Sequence, residues 1–434
     1  MIAVAAAASL TLSACSSSSS SGDTASGGST GGGSAPGSSK FEFLGQTENT
    51  TIDATLTALS TGACSAENDA APYSHQTAPG ASFDQKLQLL AGQDALPQVL
   101  MAAGTPALNK QFIEAGQLED LGPVLEEAGA AESVLPAARS TVEALYGGFY
   151  ALPTEFNIEG IWYNKQIFAD NGIEVPDTWD GFIDAVKRLD AAGVQPLTTP
   201  GKDNGWNITR LIGGYIFRDL GPDALQKVAD GQAELTDPEY VKAADAVAEL
   251  GELQAYGPAP SSIDYNGAMN QFLTGEAAML YMGSWALGNF NDPAQNKIGA
   301  DNIGFMPFPN VTGGAGSIDQ VPANVGVPIA FGAKDFGTTN ADWVACIAKN
   351  YGGTVLENEG VVSGFTIDNP PADLPALTQS VQETMADAET SVLWFEALFT
   401  AKGTTVSQNN AIPLISGQID GKQFMELVQS ANAS

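Results

Sequence analysis

The chain has 434 residues, 44% of them apolar, with 17 basic and 50 acidic side chains and a formal net charge of -33. That length exceeds one ordinary core, so two domains are the default, and the apolar content is that of a globular protein. A phosphate backbone would be repelled over most of so acidic a surface, which argues against nucleic acid and leaves solubility as the plain reading of the charge.

An apolar run, Ile2 to Leu12, ends in Leu12-Ser13-Ala14-Cys15. A small-residue cleavage site after an apolar core is a secretory signal, and the Cys directly after it resembles the bacterial lipobox. The resemblance implies a signal over 1–14 and a lipidated Cys15, whose acyl chains would tether the protein outside the cytoplasmic membrane. The competing reading is a buried Cys in an apolar helix. No Lys or Arg precedes Ile2, so the true start is expected upstream. Residues 15–40 then form the lipidated Cys and a Ser/Gly linker, too poor in apolar groups to build a core and able to hold the folded part about 25–30 Å from its anchor. No later stretch approaches the ~18 apolar residues of a membrane span.

The folded part alternates. Phe41-Glu42-Phe43-Leu44-Gly45 reads as a strand, Ile52 to Leu59 as a helix, and Phe83 to Leu90 as a second helix with Phe83, Leu87 and Leu90 on one face. Pro97 to Met101 is a short buried strand. Thr178 is placed to cap a helix that turns Phe182, Val186 and Leu189 inward. Ala268 to Leu273 is helical, Gly275 stops it, Ala277 to Met282 is a strand, and Gly283-Ser284 turns into another helix. Such alternation implies α/β architecture with parallel strands and crossovers. From Ala66 to Ser82 the chain is polar and reads as irregular.

The single histidine, His75, leaves no HExxH pair and no Cys/His zinc cluster, and no nucleophile elbow accompanies it. Cys64 and Cys346 remain once Cys15 is set aside. Outside the membrane such a pair tends to oxidise, which favours a Cys64–Cys346 disulfide over two isolated thiols, provided both segments belong to one lobe. No ligand cluster asks for a metal or cofactor.

Three segments together resemble the sugar-binding lipoproteins of ABC importers, the family that includes maltodextrin-binding protein. They are Tyr150-Ala151-Leu152-Pro153 with Trp162-Tyr163-Asn164-Lys165-Gln166-Ile167-Phe168, then Val175-Pro176-Asp177-Thr178-Trp179-Asp180-Gly181-Phe182, then Phe272-Leu273-Thr274-Gly275-Glu276-Ala277-Ala278-Met279 ending in Gly283-Ser284-Trp285. The family's versions read Y-N-K-x-x-F, P-x-T-W-x-x-F and F-x-x-G-x-A-A-M…G-S-W. The resemblance implies a periplasmic-binding-protein-like fold of two α/β lobes joined by crossing strands, with ligand held in the cleft. Lobe one would be 41–151 with 308–358, and lobe two 152–307 with 359–434. The partners implied are a carbohydrate and the permease subunits of an ABC transporter, and the protein itself is expected to be a monomer.

A pyranose offers a weakly apolar face and a rim of hydroxyls, so its site should mix aromatic planes with carboxylates and amides. Trp285 in the G-S-W position, Trp206 in a polar loop, and Trp394 are the stacking candidates, with core packing as the competing role for each. Trp162, Trp179 and Trp343 read as structural. Gln46 and Glu48 follow the first strand, which the family resemblance would set at the cleft edge, Asn157 lies near the first crossing, and Asn324 near the return strand. Asp264 either binds a hydroxyl or caps the following helix. Glu396 is close enough to Trp394 to share a ring with it. A solvated surface role is the alternative for all these polar groups.

Paired carboxylates about 5–10 Å apart would suit a secreted glycoside hydrolase, yet 50 acidic residues guarantee pairs and discriminate nothing. A receptor for a peptide, polyol or sugar acid is the closer alternative. Arg210, Arg218 and Lys202 near Trp206 keep an acidic sugar open. Several stacking candidates favour an oligosaccharide, and the Ser/Gly linker with an acidic, Lys-poor body suggests a Gram-positive lipoprotein.

Overall fold

The computed structural model describes residues 39–47, 49–202, 205–368, 370–387 and 391–433. Cys15, with the rest of the signal and nearly all of the linker, lies outside the described residues, as does Glu48. The described strands are β1 (Phe41–Gln46), β2 (Tyr73–Ala78), β3 (Val99–Met101), β4 (Ala151–Leu152), β5 (Asn157–Asn164), β6 (Gln195–Thr198), β7 (Ala277–Gly283), β8 (Ile303–Met306), β9 (Val321–Asn324), β10 (Ile329–Phe331) and β11 (Ser391–Val392). They form two sheets, one in the order β2-β1-β3-β10-β4 and one in the order β11-β9-β5-β7-β6, with β8 also on β5.

Several neighbouring strands joined through helices run parallel, the pairing that a crossover connection allows. This holds for β1 with β2 and β3, and for β6 with β7. The alternation implied a parallel sheet with crossovers, and the structure adds antiparallel pairs to it. β10 runs antiparallel to β3 and β4, and β5 runs antiparallel to β7, β8 and β9. The chain passes from β4 in the first sheet to β5 in the second through 153–156, then returns from β9 to β10 through 325–328. A returning strand enters against the direction of its neighbours. The return to the first sheet thus follows Asn324. A third segment joins the same region, since Gly364 N–H donates to the Pro153 carbonyl at 2.9 Å and Phe156 N–H to the Val362 carbonyl at 3.1 Å.

The segment from Ala66 to Ser82 is more regular than its polarity suggested. β2 pairs with β1 over six residues, and its exposed side chains reflect its place at the sheet edge. His75 is on this edge, its Nδ1 2.9 Å from Asp53 Oδ1. Behind the sheet, Phe41 stacks on Trp343 at 4.3 Å, and Trp343 Nε1 donates to the Ala71 carbonyl at 3.0 Å. Cys64 and Cys346 are disulfide-bonded with Cα atoms 5.9 Å apart, tying the segment after the helix Thr51–Thr61 to the helix Thr338–Glu359.

In the second sheet Trp162 donates to the Met282 carbonyl at 2.9 Å and packs between Phe290 and Phe305. The helix Trp179–Ala191 is capped by Thr178, whose Oγ1 accepts from Gly181 N–H, and it buries Phe182, Val186 and Leu189. Trp162, Trp179 and Trp343 are therefore core residues, each at most 5% exposed. Among the described residues no helix is long and apolar enough to cross a membrane.

Candidate ligand-binding site

Alternate residues of a strand share a face, and residues four apart share a face of a helix. β5 therefore presents Asn157 and Glu159 together, β7 presents Tyr281 and Gly283, and the helix Trp206–Leu220 presents Trp206 and Arg210. Strand register sets Asn157 opposite Asn324 and Glu159 opposite Gly283.

These groups form one hydrogen-bonded network. Arg210 Nε donates to Glu159 Oε2 and Arg210 Nη1 to Glu396 Oε2, each at 2.8 Å. Glu159 also accepts from Asn324 Nδ2 at 2.8 Å and from the Tyr281 hydroxyl at 3.4 Å. Glu396 Oε1 accepts from Ser407 at 2.9 Å. Asn324 Oδ1 accepts from Gly326 N–H at 2.8 Å and from Asn157 Nδ2 at 3.5 Å. Ser284 links the strands, donating to Asn157 Oδ1 while accepting from Ile158 N–H, each at 3.2 Å.

The aromatic groups sit on this network. The Arg210 guanidinium carbon lies 5.7 Å from the Trp206 ring centre and 5.2 Å from that of Trp394, within cation–π range. Trp206 and Trp285 are 5.7 Å apart and tilted. Trp285 folds back over its own turn, its ring occupying the space that a side chain at Gly283 would fill. This gives the G-S-W spacing a physical reason: Gly admits the indole and Ser joins the two strands. Trp285 Nε1 donates to the Tyr265 hydroxyl at 3.2 Å. All three rings are partly exposed, unlike the core tryptophans.

Electrostatics follow from burial. Glu159 and Glu396 are 1% and 2% exposed. Burial holds the Glu396 carboxyl above its ordinary range, against the opposing pull of Arg210. Burial and then the Glu159 charge push the Tyr281 phenol well up. Glu155, on the first crossing, is raised by burial and lowered in part by hydrogen bonds from Asn157 and Asn49. Gly326, with φ of 57° on the return crossing, presents its Cα to the Glu155 carboxylate, so a side chain there would meet both strain and a clash.

The structure thus brings together Asn157, Trp206, Trp285, Asn324, Trp394 and Glu396. It gives Glu396 a different setting from the one expected. Both oxygens are bonded to protein donors, so it anchors Arg210 instead of lying open beside Trp394. Asp264 caps the helix Tyr265–Leu273, accepting from Gly267 N–H at 2.9 Å, and lies 3.5 Å from Lys202. Hydrogen bonding with Gly267 is the main cause holding its carboxyl below the usual range. Gln46 ends β1, its N–H directed at Met101 Sδ. Glu48 lies outside the described residues; its neighbour Asn49 reaches Glu155.

Arg210 and Arg218 were legible only as nearby cations. Arg218 is buried and donates to the carbonyls of Phe308 and Gln320. Glu159, Tyr281, Ser284 and Tyr265 were missed, although Glu159 stands two residues from Asn157 on one strand face. Among the described residues, the metal-ligating atoms found close together are those of Cys64, Glu67 and Cys346, and the disulfide occupies two of them. A separate cavity of about 510 Å³ beside Val362, Phe365 and Met385 is lined mainly by apolar side chains and by no tryptophan.

Residues 75–333 match the family described as bacterial extracellular solute-binding protein. An ABC transporter extracellular-binding protein of Pyrococcus horikoshii is 25% identical over 198 residues, 45% of this chain and 44% of that one. A protein of Mesorhizobium japonicum described as a probable sugar-binding periplasmic protein is 27% identical over 233 residues, 51% of this chain and 54% of the other. The chain so spans about half the length of these relatives. A solved chitin oligosaccharide binding protein superposes with a TM-score of 0.75 at 26% identity, over 92% of this chain and all of that one.

Proposed function

Since the chain belongs to the bacterial extracellular solute-binding proteins, a family of binding proteins and not enzymes, we propose that it captures a neutral oligosaccharide between its two lobes and delivers it to the permease of an ABC transporter. The observation that carries the reading is the joining of three partly exposed tryptophans to a patch of amides through one buried ion network. Aromatic planes cover sugar faces, and Asn324, partly exposed and held in place by Asn157 and Glu159, offers its remaining amide N–H to a hydroxyl rim. Three rings suit more than one sugar unit. The chitin oligosaccharide binding protein and the sugar-binding relative support carbohydrate as the class.

Lobe one holds β1 to β4 and β10, lobe two the other sheet, and ligand closes them about the crossings at 153–156 and 325–328. Cys15 carries the lipid that keeps the protein on the outer face of a Gram-positive membrane, and Gln46 and Asp264 line the cleft rim. The test is a thermal-shift screen of the full chain against mono- and oligosaccharides, amino acids and peptides. A ligand at 100 times its Kd adds about 2.7 kcal/mol. A rise with a neutral oligosaccharide supports the reading, and a rise with only a peptide or amino acid overturns the substrate class.

A further inference from the structure

Within this sugar-binding reading, on which the inference rests, we infer that the site excludes anionic carbohydrates, because Arg210 is already locked between Glu159 and Glu396. An arginine fork is the side chain best matched to a ligand carboxylate. Here Nε and Nη1 each donate at 2.8 Å to a buried carboxylate of the protein. The rings of Trp206 and Trp394 lie 5.7 and 5.2 Å from the guanidinium carbon. The cation's charge is answered inside the protein before any ligand arrives.

The two other cations near Trp206 already face protein groups. Lys202 lies 3.5 Å from Asp264. Arg218 is eight residues further along the helix, about 12 Å at the α-helical rise, and gives Nε and Nη2 to backbone carbonyls. Glu155 adds another acidic group beside Asn157. A sugar carboxylate entering between the rings would meet like charges at short range in a partly water-excluded setting. If it drew Arg210 toward itself, it would leave Glu396 buried without its cation, a strongly unfavourable exchange. A neutral ring meets neither obstacle.

The test is calorimetric titration of the full chain with triacetylchitotriose, cellotriose and maltotriose, followed by the tightest of these with its terminal CH₂OH oxidised to a carboxylate. The oxidised sugar is expected to bind at least about tenfold more weakly at neutral pH, equivalent to about 1.4 kcal/mol. Glu396→Gln should narrow that gap about tenfold, through tighter binding of the oxidised sugar. Glu155→Gln supplies the same comparison should Glu396→Gln fail to fold. An oxidised sugar binding within threefold of its neutral parent overturns the inference and leaves the sugar reading standing, as does a gap unchanged in a folded variant. Binding of none of the sugars, neutral or oxidised, overturns both.

Discussion

Arg210→Met removes the cation at the centre of the site while keeping an apolar stem of similar length. It leaves Glu159 and Glu396, 1% and 2% exposed, without their shared partner. Deleting one member of a buried ion pair costs about 3–5 kcal/mol. Unfolding entropy near 2.1 cal/mol/K per residue, over the folded part 41–434, is about 0.8 kcal/mol/K for two-state unfolding, so the expected fall in Tm is about 4–6 °C. The defect carries a pH signature. Burial already raises the Glu396 carboxyl above 4.5 in spite of Arg210, and loss of Arg210 raises it further. A raised carboxyl pKa means that the native state binds the proton more tightly than the unfolded state. Stability then falls as pH rises from the ordinary value through the folded one, and the penalty is absent below both. Melting curves of parent and variant from pH 4.5 to 8 should diverge toward the alkaline end. The triple variant Arg210→Met/Glu159→Gln/Glu396→Gln should recover most of the loss. A defect equal at all pH values, or a triple variant no better than the single one, would refute the reasoning.

Trp285→Ala should lower affinity for the cognate sugar by about 2 kcal/mol, near thirtyfold, with the unliganded melt little changed, as read by titration calorimetry. Cys64→Ser or Cys346→Ser should lower stability by about 2–5 kcal/mol, and a reductant should reproduce the fall in the parent and not in the variant. Glu155→Gln removes a carboxyl that burial raises, so the parent loses stability with rising pH through that window and the variant's Tm profile should be flatter. Thr178→Ala removes the cap of the helix Trp179–Ala191 and should cost about 1 kcal/mol in denaturant melts.

Much of this architecture was legible because local chemistry and tertiary demand agree. Thr178 caps a helix whose apolar positions recur at helical spacing, and in Gly283-Ser284-Trp285 the glycine leaves the room into which the Trp285 indole folds back. The antiparallel pairs were hidden because a strand's direction is set by where its neighbour comes from. Nothing in Val321 to Asn324 itself says that it pairs with Asn157 and Ile158. The same holds for the site. Trp206, Trp285 and Trp394 stood out by residue type, but Glu159 looked like any other of 50 acids, and Glu396 stood out only through its nearness to Trp394, until the fold set both against Arg210. Their importance is a property of burial, and a sequence with so many solvated carboxylates masks the buried ones.

The most direct measurement is titration calorimetry of the full chain with neutral tri- and tetrasaccharides, repeated with Trp285→Ala, with recovery of the sugar afterwards. The account predicts one saturable site per chain for at least one oligosaccharide, weakened about thirtyfold by the substitution, with the sugar recovered intact. Saturable binding that Trp285→Ala leaves unchanged would place the site elsewhere, and a panel of oligosaccharides without binding would contradict the account.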